Sequence, residues 1–400
     1  MKFKKLVTSE KPIQGLTSYV VPTKVKDVVT ISGSMLGGTL YSDKENPKTS
    51  SLASAMLDKG TQKNSKSDLS YKLESIGAEI SFISSSRHIN FTAYCLKSDL
   101  DLVIELIAEQ LRYPIFPKDE LALLKKRMIG NLEISKDDTK KQSLINFIRK
   151  VYPENHFNYR STIEESIHSI RLVNSNELKS FHEKTFGLGS LNIAVAGDIS
   201  NDQFQDSIQK HFDNWNTQNT NTLGTTIPAN KRKQIIENMN IDDKTSSDVY
   251  IGQSVNVTED GDDYRKLMMG IYILGGNFSA RLMQSVRDEQ GLTYGIGSTI
   301  TGCGYGINGH WYTWGTFSPN LVDKGIKSTL NVIDKWFNEG ITEKELAAKK
   351  TTLIGSFKVS LDTTSGLIDK ILTNAEKGRD ISYLDDYTCL LYTSPSPRDS

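Results

Sequence analysis

The segment ELALLKKRMIGNLEISKD, beginning at Glu120, returns in altered form as ELAAKKTTLIGSFKVSLD, beginning at Glu345, with Ile129 and Gly130 matched by Ile354 and Gly355. A duplication displaced by 225 residues (345 minus 120) in a chain of 400 leaves room for two copies of one fold and little besides. Ahead of each copy lies an amphipathic stretch whose apolar residues recur every three or four positions, over residues 99–111 and 321–337. Ahead of those come pairs of alternating strands, residues 79–84 with 89–96 and residues 294–301 with 309–317. Hairpins followed by helices, twice over, predict an α+β fold of two homologous domains, each an antiparallel sheet packed with helices. Residues 214–233, NWNTQNTNTLGTTIPANKRK, are polar and aperiodic and read as a linker, which sets the domains at residues 1–213 and 234–387.

The repeat also predicts a shortfall. In the first half, residues 175–184 read as a helix and residues 191–196 as an apolar strand closed by Gly197 and Asp198. At the same displacement their counterparts belong near residues 400–423. From Thr388 the chain reads TCLLYTSPSPRDS, whose proline and serine clusters continue neither element. Residues 388–400 are therefore expected to be a non-native tail. The second sheet is expected to lack a strand and to show an apolar edge.

Composition narrows the partners. Lysine plus arginine equals aspartate plus glutamate at 48 each, so no global field favours nucleic acid or an anionic membrane. No apolar run approaches the roughly 20 residues of a spanning helix. The first ten residues carry lysines but no apolar core of a secretory signal, which points to the cytoplasm, or to the periplasm if the N-terminus is incomplete. Cys95 and Cys303 sit in strand-like contexts and imply no disulfide framework.

The stretch SARLMQSVRDEQGLTYG, residues 279–295, holds the most pointed chemistry. Leu282, Met283 and Val286 lie at helical spacing, Gly291 ends the helix, and alternation begins at Thr293. Arg287 and Tyr294 thus fall at a helix-to-strand junction, where a guanidinium and a phenol can act together as donors to a carbonyl or an oxyanion. Structural duties compete for both. An arginine can satisfy the last carbonyls of its helix, and a tyrosine can pack at the start of a strand. The six histidines, His88, His156, His168, His182, His211 and His310, include no pair three to five residues apart, which excludes the usual helical metal pair. The run from Gly304 to Gly309 matches G-x-G-x-x-G, but an aromatic strand follows where a nucleotide fold needs a helix N-terminus.

Taken in order, GLTSYVVPT, MLDKGT, IGAEI, AVAGD and RDEQGLTYG resemble the pitrilysin/insulinase family of zinc peptidases, the inverzincins, and in particular its processing-peptidase-like members. The resemblance covers residues 15–387. It implies a processing-peptidase/LuxS-like fold forming half of a clamshell, with Arg287 and Tyr294 gripping substrate backbone and the tetrahedral intermediate. It implies that Gly275, Gly276 and Asn277 form the turn that a peptide strand approaches. It also places Ser51, Ser54 and Ala55 where the H-x-x-E-H motif has its first histidine, its glutamate and its second histidine, and Glu133 nearest the downstream ligand, although a gapless count favours Leu132 or Asn131. Zinc needs imidazole nitrogens one turn apart and the glutamate takes a proton from bound water; hydroxyls and a methyl do neither. No cofactor is therefore expected in this chain. The resemblance implies a zinc-less subunit, inactive alone, that binds unfolded peptide and lends its arginine and tyrosine to an H-x-x-E-H paralogue carrying the zinc. The alternative it leaves open is a structural core or peptide-binding protein with no part in proteolysis.

Overall fold

The structure, a computed structural model, describes residues 2–216, 223 and 225–393. Helices and largely antiparallel sheets alternate along the chain, as the pattern of hairpins and amphipathic stretches predicts. The chain divides into two compact units, one comprising the described parts of Met1–Asn131, Glu164–Gly224 and Phe357–Tyr387, the other those of Leu132–Ile163, Thr225–Ser356 and Thr388–Ser400. Neither is a continuous half of the sequence. The repeated segments form 18-residue helices, Lys118–Ser135 and Glu343–Ser360, and within each the chain passes from one unit to the other. The helix that follows each therefore serves the unit opposite to its sequence half: Thr139–Val151 belongs to the second unit and Thr364–Glu376 to the first.

The first unit holds a six-stranded sheet. Its strands are β1 (Thr8–Ile13), β2 (Leu16–Pro22), β3 (Val28–Leu36), β4 (Glu79–Ser84), β5 (His88–Leu96) and β6 (Leu191–Gly197), in the order β1-β2-β6-β3-β5-β4. All neighbours are antiparallel except β2 and β6. Strand β6, LNIAVAG, is apolar almost throughout because it lies between β2 and β3 and is covered on its faces; a half-exposed strand would alternate. Helix Thr364–Glu376 lays Leu367, Ile368, Ile371 and Leu372 onto Ala194 and Ala196 of β6 and Val21 of β2, and its Thr364 hydroxyl meets that of Thr30 at 2.7 Å.

The second unit holds three strands, β7 (Ser247–Ser254), β8 (Thr293–Thr301) and β9 (His310–Phe317), in the order β7-β9-β8. Leu274, Leu282, Met283, Val286, Leu292, Ile296 and Phe317 form its main core. Cys95 and Cys303 are buried and free, and burial raises their thiols to about 12 and about 11, so they behave as small apolar residues. The glycine-rich residues 302–309 join β8 to β9 as a hairpin loop, with no helix at their end to cradle a phosphate.

Residues 217–222 and 224 of the expected linker lie outside the described residues, and residues 225–241 carry neither helix nor strand. Residues 388–393, the first part of the expected non-native tail, complete the helix Ser382–Thr393, with Leu391 buried. The helix-compatible run CLLYT lies ahead of Pro395 and Pro397, and a helix can extend to just before a proline. The last part of the expected tail, residues 394–400, lies outside the described residues.

Candidate functional site

Helix Asp262–Gly275 leads into the junction. Its last residue, Gly275, packs so closely on β8 that a Cβ there would stand 2.5 Å from the Ser298 nitrogen, and one on Gly276 would stand 2.4 Å from the Tyr272 ring. Both glycines are thus required by close packing, whatever else they do. The Asn277 side chain is fully engaged inside the turn. Its Nδ2 donates to the Tyr272 carbonyl at 3.1 Å, and its Oδ1 accepts from the Ser279 amide at 3.1 Å and from the Lys349 ammonium at 2.7 Å.

Lys349 was not legible as part of this region. It lies in helix Glu343–Ser360, 7% exposed, and also donates to the carbonyl and hydroxyl of Ser279; burial lowers its pKa. Beside it, Arg281 makes a two-pronged bond to Glu345, 2.7 Å on each prong, and reaches the Gly340 carbonyl at 2.9 Å. Arg281, with help from Thr342, holds the Glu345 carboxyl down at about 2. These partners stand 64 and 72 residues apart in sequence, so no local pattern announces them. Together they fix the segment that delivers Arg287.

That segment, Met283–Glu289, is a π-helix rather than the α-helix its spacing suggests. Leu282, Met283 and Val286 are buried as expected, which pins its inner face. Extra residues in a helical turn are rare and recur at functional sites, where they re-aim side chains. Gly291, at φ +61, closes the helix: its amide reaches the Arg287 carbonyl at 2.9 Å, and the Leu292 amide reaches that of Val286 at 3.0 Å.

Strand β8 then opens with a bulge. Thr293 pairs with Phe317 and Gly295 with Thr316, leaving Tyr294 without a partner across the sheet. A bulged residue turns its side chain out of the regular alternation. Tyr294 is 90% exposed. Arg287 does not spend its donors on the carbonyls of its own helix. Its Nε donates to the Tyr294 carbonyl at 3.0 Å and its Nη1 to Asp288 at 3.0 Å, while Nη2 has no partner among the described residues. The guanidinium thus braces the bulge that presents the phenol. The phenol of Tyr294 stands at an open surface, and the guanidinium that holds its main chain keeps Nη2 unbonded among the described residues.

The other candidate positions are different. Ser51, Ser54 and Ala55 lie on helix Thr49–Ala55. Ser54 is buried and its hydroxyl turns back to the Ser51 carbonyl at 3.2 Å. The neighbouring Ser50 hydroxyl, also buried, contacts the Gly37 carbonyl at 2.7 Å and the Ser84 hydroxyl at 2.6 Å. Ser51 and Ala55 are one turn apart, as two ligands would need to be, but a hydroxyl and a methyl are not zinc donors. Glu133, near the end of helix Lys118–Ser135, pairs with Lys136 at 2.7 Å. The residues present do not fit a zinc ion. Among the described residues, no group of three or more His, Cys, Asp and Glu is placed to hold a metal. His88, His156 and His310 are core residues instead, each lowered to about 4 by burial.

Comparison with known proteins places the chain in a family. The insulinase (peptidase family M16) sequence model matches residues 20–158, and the peptidase M16 inactive-domain model matches residues 173–353. Similar proteins include an uncharacterized zinc protease of Mycobacterium bovis, 21% identical over 322 residues, spanning 79% of this chain and 71% of that protein. Another is the non-peptidase homolog YmxG of Helicobacter pylori, 23% identical over 336 residues, 83% of this chain and 76% of that one. In fold, the chain matches the peptidase M16 inactive domain from Pseudomonas fluorescens with a TM-score of 0.81 at 21% identity, over 96% of this chain and 91% of that one. A protease from Helicobacter pylori matches with a TM-score of 0.81 at 16% identity, over 97% and 93%. Two matching segments of one family, in order and over most of its length, lead to one conclusion: the chain belongs to the insulinase (peptidase M16) family.

Proposed function

We propose that this protein is a zinc-less subunit of a heteromeric insulinase-family peptidase, and that it supplies Arg287 and Tyr294 to the active site of a zinc-bearing H-x-x-E-H paralogue. The exposure of Tyr294 on its braced bulge is the observation that carries this reading. A large aromatic ring left 90% exposed gains nothing from burial, so packing does not account for its placement. Nor does the arginine serve as a cap for its helix. An unfolded peptide adds to the open edge of β8, whose main-chain groups lack a strand partner on that side among the described residues. Arg287 and Tyr294 then donate to the scissile carbonyl and, more strongly, to the oxyanion that develops on it. This chain's part is to bind, orient and stabilise charge. The metal-bound water and its base belong to the partner.

Co-expression with an H-x-x-E-H paralogue, followed by hydrolysis of an unstructured peptide, tests the proposal. Activity is expected only in the mixed complex, with Arg287→Ala lowering turnover by about a hundred- to a thousandfold. A mixed complex that cleaves equally well with Arg287→Ala supports a scaffold role instead.

A further inference from the structure

A second place with bonding capacity left over lies wholly within the first unit, where helix Leu100–Arg112 ends. Residues 112–116, RYPIF, stop the helix. Pro114 lacks the amide that would continue it, and Phe116 takes a left-handed φ of +49, which a non-glycine residue holds only where its packing enforces it. This turn, helix Ser175–Thr185 and residues 214–216 line an open cavity of about 600 Å³. Tyr113, Phe116, Phe186 and Trp215 give it aromatic walls. Trp215 is held in place through Asn216, whose carbonyl accepts from the Leu188 amide at 3.1 Å.

Polar side chains interrupt those walls. Arg112 donates through Nη1 to the His211 carbonyl at 2.6 Å, and its guanidinium carbon lies 5.2 Å from the centre of the Tyr113 ring and 6.0 Å from that of Trp215. Its Nε is buried without a hydrogen-bond partner, and Nη2 has none among the described residues. Nε and Nη2 form the side-on edge of a guanidinium, the edge by which Arg281 holds Glu345 two-pronged. Lys179 also lines the cavity and has no carboxylate partner among the described residues; Glu183 opposes the two cations, which leaves the lining with a net positive charge. His182 donates through Nε2 to the Leu111 carbonyl at 2.7 Å, since a carbonyl can only accept. Burial lowers its pKa, so the ring is neutral and Nδ1 carries a lone pair, with no donor to it among the described residues.

We propose that this cavity binds an N-acyl amino-acid carboxylate with an aromatic or large aliphatic side chain, the chemistry of a peptide's C-terminal residue. The carboxylate accepts from the Nε–Nη2 edge of Arg112, with Lys179 adding charge beside it. The ligand's amide N–H donates to His182 Nδ1, and its side chain packs among Tyr113, Phe186 and Trp215. An anion, a donor and an apolar body are thus each met by a group that the fold itself does not use. The proposal does not rest on the function proposed for Arg287 and Tyr294.

Titration calorimetry of the full chain tests this with a soluble hexapeptide ending in a phenylalanine carboxylate, the same peptide ending in an amide, and N-acetylphenylalanine. The proposal requires saturable binding of the free-acid peptide, weakened about tenfold or more by amidation and by Arg112→Lys, which keeps the charge but not the two-pronged edge. N-acetylphenylalanine binding as tightly as the peptide assigns the site to a free acid, whereas binding weaker by about tenfold or more assigns it to a peptide end. A melting curve shows whether Arg112→Lys is folded. Lys179 is exposed, so Lys179→Met spares the fold and should weaken the free-acid peptide about threefold. No saturable binding, equal affinity for acid and amide, or an affinity unmoved by Lys179→Met or by folded Arg112→Lys overturns the proposal.

Discussion

Helix Thr49–Ala55 and the junction from Met283 to Gly295 use their polar side chains in opposite ways. In the helix, polar side chains have been absorbed: the Ser50 and Ser54 hydroxyls are buried and bonded to nearby main chain, and Ala55 has no polar group to offer. At the junction the reverse holds. Arg287 braces a bulge and Tyr294 stands out from it, nine-tenths exposed, while Lys349, Asn277, Arg281 and Glu345 hold the supporting turn from behind. Polar groups that remain outward, on rare backbone geometry and with a dedicated support, are evidence of a role that the fold itself does not need.

The contrast can be broken in four places. The largest effect belongs to Arg287→Ala in the mixed complex, with a loss of about two to three decades in kcat and little change in KM if the donor acts mainly on the oxyanion. Next comes Asn277→Ala, which leaves the buried Lys349 ammonium without one of its acceptors. Denaturant titration should show a loss of about 2 kcal/mol, since a buried charged donor has lost one of three acceptors. Glu345→Gln should lower stability by about 1 kcal/mol, because the pair with Arg281 is only partly shielded from water. Its pH dependence has a definite sign. The folded-state pKa is depressed, so the stabilisation is complete above the ordinary value of 4.5 and is lost as pH falls from there toward about 2. Melting temperatures across that window should fall less steeply in Glu345→Gln than in the parent chain. The smallest effect is the most telling. Tyr294→Phe should alter stability by less than about 0.5 kcal/mol, as expected for an exposed side chain with no bonding partner among the described residues, while still lowering turnover in the mixed complex. A larger stability loss would mean that the phenol works for the fold after all.

Much of the architecture was legible in the sequence. The strands of both hairpins, the amphipathic helices behind them and the apolar β6 lie where periodicity placed them, because each is governed by local alternation and turn residues. Gly291 was readable as a helix stop for the same reason, and its left-handed φ confirms it. What could not be read depends on distance in sequence. The exchange of helices Thr139–Val151 and Thr364–Glu376 between units is a matter of which apolar face finds which sheet, and periodicity gives the face but not its partner. Nothing in the sequence marks Lys349 or Glu345, and only the fold shows their bonds to Asn277 and Arg281. The π-helical turn was hidden as well, since Leu282, Met283 and Val286 satisfy an α-helical spacing equally well. The bulge at Tyr294 is one residue of slippage between strands, which a single strand's sequence does not record.

The central claim is a division of labour, with donors here and metal chemistry elsewhere. Its most direct test is peptide hydrolysis by the purified chain alone, assayed with its zinc content measured in the same sample. The account predicts no stoichiometric zinc and no chelator-sensitive cleavage, with cleavage emerging only when an H-x-x-E-H paralogue is added. Zinc-dependent turnover by the isolated chain, abolished by a chelator and restored by the metal, would contradict it.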